Sequence, residues 1–241
     1  MISSSPLDAL ERIASRAADL RDLYRPGAIP RNGDVRTAPA AVPSSDPLTV
    51  AVPPGAWLVM RTADGARAYG RDGALRVDDG VLRASDGSEV LGYPSGDARG
   101  SVPATLRLPA TDRALGRGAD VHIEPDGVVA YTRAAIDPRS GVRGVERVAI
   151  GRVALARFPA GTQPAQRDST HVVAPLGVVP HLGTPADGTF PALATYTRDA
   201  GSLDFDAGVE RLNEAYRRFQ ALGALVKSRA GIDKTTMDLV R

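Results

Sequence analysis

Residues 69–92 read Tyr69-Gly70-Arg71-Asp72-Gly73-Ala74-Leu75-Arg76-Val77-Asp78-Asp79-Gly80-Val81-Leu82-Arg83-Ala84-Ser85-Asp86-Gly87-Ser88-Glu89-Val90-Leu91-Gly92. Short apolar runs alternate here with the pairs Asp72-Gly73, Asp79-Gly80 and Asp86-Gly87. An Asp-Gly pair between such runs signals a hairpin, because glycine supplies the positive φ of a tight turn without steric cost. The stretch is therefore read as short antiparallel strands at Arg67 to Tyr69, Ala74 to Val77, Val81 to Arg83 and Glu89 to Leu91. Asp72, Gly73, Gly80 and Gly87 are the turn residues between them.

The same pattern extends both ways. Upstream, Ala56 to Thr62 reads as a strand followed by the pair Asp64-Gly65. Downstream, strands are expected at Ala104 to Leu108, Ala119 to Ile123, Gly127 to Thr132 and Val145 to Arg157, with Gly127 in a further hairpin turn and the last strand long enough to cross a sheet. From Pro159 to about Gly201 the chain is rich in Gly, Pro, Thr and Ala and is read as extended returning chain with a few short strands. Between Arg25 and Pro54 lie Pro26, Pro30, Pro39, Pro43, Pro47, Pro53 and Pro54, which suit an extended linker and no helix.

Both ends are helical by pattern. Ser5 is placed to cap a helix with Pro6 at its first position and Asp8 completing a capping box. Leu10, Ile13, Ala17, Leu20 and Tyr24 then recur at spacings of three and four. That is the seam of a coiled coil or, equally, the buried stripe of an amphipathic helix lying on its own domain. From about Asp206 a second seam runs through Val209, Leu212, Tyr216, Phe219, Gly223, Val226 and Ala230, and its small residues would permit a close helix neighbour. The expected fold class is mainly β with terminal α-helices that pair as a coiled coil. The expected organisation is an N-terminal axial helix (1–25), a Pro-rich linker (26–54), a β-rich domain (55–190), a second linker (191–206) and a C-terminal axial helix (207–241).

Composition bounds the chemistry. The 241 residues are 43% hydrophobic, enough for a real core, and 30 basic against 28 acidic side chains leave a net charge of only +2, which implies no nucleic-acid partner. Without cysteine there is no disulfide, thiolate metal site or Cys nucleophile. The N-terminus lacks the basic and apolar regions of a cleavable signal, and no stretch approaches a membrane span, so no membrane insertion is expected. His122, His171 and His181 show no metal-binding spacing, and no Gly-x-Ser-x-Gly elbow is present. The Asp-Gly pairs lack the ligand pattern of a calcium loop, and Gly116, Gly118 and Gly141 to Gly144 lack the strand-then-helix context of a phosphate loop. No catalytic residue, cofactor, metal or small-molecule substrate is assigned.

The run from Tyr69 to Gly92 resembles the stretch of flagellar basal-body rod and hook proteins written Y-T-R-D-G-x-F-x-x-D-x-x-G-x-L-V-x-x-x-G-x-x-V-x-G. The resemblance resumes at Val121 to Val129, which is similar to a second hairpin of that family, and at Ile150 to Phe158, which is similar to its I-G-x-I-x-L-A-x-F strand. Leu212 to Phe219 resembles its terminal helix. The N-terminal signature of the family, rich in Asn and Ala and ending in Thr-Gly-Phe, is replaced here by Arg25-Pro26-Gly27-Ala28-Ile29-Pro30.

The resemblance implies a structural subunit, not an enzyme, that assembles helically with its own copies and with other flagellar axial proteins, transmits torque and surrounds an export channel. It implies a place in the flagellar basal body, reached by type III export without a cleaved signal. Short length and the lack of an extra outer domain favour a rod protein, proximal or distal, over the hook protein. Leu10, Ile13, Ala17, Leu20, Leu212, Tyr216, Phe219 and Val226 would carry the assembly contacts. Two other readings stay open from the residues alone: a secreted, adhesin-like β-rich binding module, which would need a surface aromatic platform, and a hydrolase built on scattered Ser, His and Asp.

Overall fold

The computed structural model describes residues 5–22, 25–29, 41–94, 102–109, 121–136, 143–199 and 205–239. Gly116, Gly118, Gly141, the start of the strand expected from Ala119 and the side chain of Ala230 lie outside the described residues. The chain divides into two units, one formed by Met1–Leu23, Pro30–Thr37 and Leu203–Arg241, the other by Tyr24–Ile29 and Ala38–Ser202.

In chain order the larger unit carries β1 (Ala41–Pro43), β2 (Val50–Ala51), β3 (Trp57–Arg61), β4 (Arg67–Gly70), β5 (Arg76–Asp78), β6 (Val81–Arg83), β7 (Glu89–Tyr93) and β8 (Ala104–Thr105). It continues with β9 (His122–Ile123), β10 (Val128–Ile136), β11 (Arg143–Val153), β12 (Leu155–Arg157), β13 (Ala165–Gln166), β14 (His171–Val173), β15 (His181–Gly183), β16 (Ala194–Thr195) and β17 (Thr197–Asp199). The spine of the main sheet runs β13-β14-β4-β3-β7-β11-β10-β9, with β12 between β3 and β15 and the β5–β6 hairpin and β8 attached at β7. Two small antiparallel ribbons, β1 with β17 and β2 with β16, tie the segments expected as linkers to each other.

Strand β3 divides the core. Alternate side chains of a strand point to opposite faces, so Leu58 and Met60 join Leu82, Val90, Tyr131, Leu155 and Phe190 on one side. On the other, Trp57 and Val59 join Tyr69, Leu91, Tyr93, Ala156 and Val172. A strand covered on both faces has no solvent side to mark with polar residues, which is why Trp57 to Met60 is a continuous apolar run. The Trp57 and Tyr69 rings both meet Phe158 edge-on, at centroid distances of 6.4 and 5.3 Å.

Four of the Asp-Gly pairs turn the chain. At Asp79-Gly80 both residues have positive φ (50° and 70°), giving a two-residue type I′ hairpin between β5 and β6. The loops at Asp64-Gly65, Asp86-Gly87 and Asp126-Gly127 share a different, three-residue form. In each the glycine has positive φ, and its amide returns to the carbonyl three residues back (Thr62, Ala84, Glu124). In each, too, the Asp side chain accepts the amide two residues on (Ala66, Ser88, Val128). Asp72-Gly73, read from sequence as a turn of the same kind, closes no hairpin. Its Gly73 sits where a Cβ would come 1.7 Å from the Val50 carbonyl oxygen, and the Gly73 carbonyl accepts the Val50 amide at 2.9 Å. The glycine is there for close backbone approach and not for φ.

The long strand expected from Val145 to Arg157 is two. Strand β11 pairs with β10 and β7, the chain breaks at Ala154, and β12 pairs with β3 and β15. A bulge prepares the break: Val129 faces Gly151 and Ala130 faces Ala149, leaving Ile150 extra on β11.

The smaller unit carries α1 (Pro6–Arg21) and α2 (Phe205–Leu239). Ser5 and Asp8 form the expected capping box at the start of α1, with side-chain to amide distances of 3.2 and 3.0 Å. The expected fold class is corrected here: among the described residues the chain is a sheet-rich body with one helix near each end, and coiled-coil pairing of the two is not shown. The helices do pack together, Leu20 lying so near Gly208 that a Cβ there would meet its Cδ2 at 2.7 Å. A coiled coil, however, needs each seam side chain inserted between four residues of its partner. What α1 buries is Ala9 and Asp19, while the seam residues Leu10 and Ala17 face solvent. At Gly223, expected to admit a close neighbour, a Cβ would meet nothing within 4 Å.

Candidate functional site

The seam residues were the candidate assembly contacts. Ile13, Leu20, Leu212 and Phe219 are half-buried, whereas Leu10, Tyr216 and Val226 are each about half exposed, at 47%, 52% and 51%. With Leu7 and Leu225, also exposed, they leave apolar side chains of both helices in water. Glu214 and Arg218, one turn apart, form an ion pair on α2.

Of the turn residues, Asp72 is the unusual one. It is 1% exposed and accepts hydrogen bonds from the Ala74 amide (3.0 Å), the Ser85 amide (3.0 Å) and the Ser85 hydroxyl. Burial pushes its carboxyl above the ordinary carboxylate value, against the pull of those donors. Beside it stands His171 on β14, almost fully buried. Nδ1 of His171 lies 3.0 Å from both carboxylate oxygens of Asp168 and 3.2 Å from the Thr170 hydroxyl, and Nε2 lies 3.3 Å from Asp86. Burial alone would lower the His171 pKa, but the Asp168 hydrogen bond and the charges of Asp168, Asp86 and Asp72 outweigh it and raise it above the ordinary value. The network joins three segments: the Asp72 strand end, the Asp86 turn and β14.

This cluster holds a Ser, a His and three Asp, and is the nearest thing among the described residues to the hydrolase reading. Its geometry does not serve that chemistry. A general base needs one ring nitrogen free to take a proton from a nucleophile, and here both nitrogens face carboxylates while the Ser85 hydroxyl is given to Asp72. Among the described residues, no group of three or more His, Asp or Glu is placed to hold a metal. His122 is half-buried beside Glu124 at 3.5 Å, and His181 stacks on Phe190 at 5.9 Å. Trp57, the ring an adhesin platform would need outside, is buried in the core.

Arg71, next to Asp72, closes a second polar centre that the sequence did not reveal. Its Nε donates to Asp199 at 2.8 Å, one terminal nitrogen donates to the Pro53 and Ala56 carbonyls at 3.2 and 2.9 Å, and the other to the Val52 carbonyl at 2.6 Å. The guanidinium also lies 6.0 Å from the Trp57 ring centre. Only an arginine has the fork of donors that such a loop of carbonyls requires. Arg71 thereby holds the 52–56 segment and the end of β17 against β4. The one sequence signal for it is its place in the run quoted above.

No protein-family model matches the chain. It is similar to the flagellar basal-body rod protein FlgF of Escherichia coli (strain K12), with 27% identity over 136 residues. The match takes in 56% of this chain and 47% of that protein, so the chain spans about half the length of the relative it matches.

Proposed function

We propose that the chain is a structural subunit of the flagellar basal-body rod and not an enzyme. The observation that carries the reading is the similarity to a rod protein over more than half of the chain. The polar residues inside the β-rich unit agree with it: Asp72, His171, Arg71 and Asp199 spend their hydrogen bonds on joining chain segments. In this reading the subunit sits in the basal body among other rod proteins and its own copies, having left through the flagellar export channel. It stacks helically around that channel and passes torque along it, and Leu10, Tyr216 and Val226 supply contacts to neighbours.

The test is deletion of the gene in its native bacterium, followed by electron microscopy of purified basal bodies and a motility assay. Rods stopped short, with hooks and filaments missing, are the expected outcome. Normal flagella and swimming would overturn the reading.

A further inference from the structure

The loop between β14 and β15 reads Ala174-Pro175-Leu176-Gly177-Val178-Val179-Pro180 and carries no charge. A tight turn shapes its tip: the Val178 amide donates to the Pro175 carbonyl at 3.0 Å, and Gly177 has φ of 79°. This turn sends Leu176 and Val179 straight into solvent, at 105% and 83% exposure. Single exposed aliphatics are ordinary on protein surfaces, but two on one uncharged, sharply turned loop make a projecting apolar knob.

Elsewhere on the same unit lies an open groove of about 380 Å³ whose walls are almost wholly apolar, with Ala51, Pro53, Pro54, Pro191 and Ala192 among them. Its volume is in the range of sites that take small apolar groups, about 300–1,000 Å³. The charged residues of the lining are Arg71 and Asp199, and they neutralise each other at 2.8 Å. Such a groove offers no net charge to a charged partner, and what matches it is an uncharged apolar segment. Its proline walls are already rigid, so filling it costs little ordering.

We infer that the 174–180 loop of one copy seats in the Ala- and Pro-lined groove of a second copy. Knob and groove are different surfaces of one chain, so the contact is head-to-tail. A head-to-tail contact that does not close on itself propagates as a filament. The inference rests on the reading of the chain as an assembling subunit and adds the surface through which copies meet.

Because the chain has no cysteine, placed thiols report the contact cleanly. Full-length chains carrying Leu176→Cys are mixed with mass-tagged chains carrying Ala192→Cys and treated with a short bis-maleimide; both positions are exposed. A mixed dimer in several-fold excess over either homodimer is expected. No dimer, or homodimers in equal yield, overturns the inference. In parallel, Leu176→Asp with Val179→Asp is expected to weaken self-association several-fold in sedimentation while leaving the melting temperature unchanged, and undiminished association or a monomeric parent chain overturns it. In cells the two readings part: normal flagella after gene deletion sink the rod reading whatever the cross-link shows. Full motility of the double-Asp strain, where deletion stops the rod, sinks the loop-in-groove contact alone.

Discussion

Nε2 of His171 faces a carboxylate oxygen of Asp86 at 3.3 Å while Nδ1 of the same ring faces Asp168 at 3.0 Å, so one buried imidazole is held between two acids from distant parts of the chain. The carboxylates favour the charged ring and hold the folded-state pKa above the ordinary 6.5. Stability from this pair is therefore fully present below pH 6.5 and is lost as pH rises through the raised folded value. Asp168 acts oppositely: burial works against its charge, but the bonds from His171 and from the Thr170 and His171 amides hold its pKa below 3.8, so its contribution is lost as pH falls. Asp72, raised by burial, loses stability as pH climbs past 3.8 and partly offsets Asp168. Above pH 6.5 Asp168 is ionised in the folded and the unfolded chain alike and adds no slope, while His171 loses its stabilisation as pH rises. The melting temperature should fall as pH rises above 6.5, and His171→Gln should flatten that fall. Parallel curves for the two proteins would show that the network does not titrate as described.

Arg71 and Asp199 are a buried ion pair in which the arginine also satisfies three carbonyls. Removing one partner of such a pair leaves the other stranded, at a cost of about 3–5 kcal/mol. Arg71→Ala should lose stability on that scale, and Asp199→Asn less, because the amide oxygen still accepts from Nε. Arg71→Lys should resemble the alanine variant more than the parent, since one ammonium cannot span Val52, Pro53, Ala56 and Asp199 together. Urea unfolding of the three variants checks the ranking.

Gly73 and Gly87 both follow aspartate, yet they are glycine for different reasons. A Cβ at Gly73 would lie 1.7 Å from the Val50 oxygen, whereas at Gly87, with φ of 91°, it would meet open space. Gly87→Ala should cost about 1–2 kcal/mol, the strain of left-handed backbone. Gly73→Ala must push two chain segments apart and should cost about 3 kcal/mol or more. Equal losses in chemical denaturation would mean that β2 shifts freely against the Asp72 segment.

What the sequence conveyed depended on range. Asp79-Gly80 announces a type I′ turn because both residues and both strands lie within a few positions, and Trp57 to Met60 announces a strand because every residue is apolar. Gly73 looks the same in sequence as Gly80, since an alphabet letter does not say whether glycine is needed for φ or for closeness. Strands β1, β2, β16 and β17 are two or three residues long, too short to carry a period, and exist because distant segments meet. The His171–Asp86 and Arg71–Asp199 contacts join residues 85 and 128 positions apart, beyond any local pattern. The helix seams were legible as patterns, but a spacing of three and four is the same for a buried stripe and for one left in water, so the coiled-coil expectation failed where only packing could decide.

Those exposed seam positions allow stability to be separated from assembly. Leu10, Tyr216 and Val226 are each about half exposed, so Leu10→Ser, Tyr216→Ser and Val226→Ser should each change the stability of the isolated chain by no more than about 0.5 kcal/mol. Leu20, packed beside Gly208, should lose more on replacement by Ser, because α1 and α2 meet there. If Leu10, Tyr216 and Val226 touch neighbouring subunits, their Ser variants should impair motility and shorten rods although the isolated proteins melt normally. The Leu20 variant should melt early. Wild-type motility in all three exposed-site strains would remove these residues from the assembly interface and leave the β-rich unit to supply it.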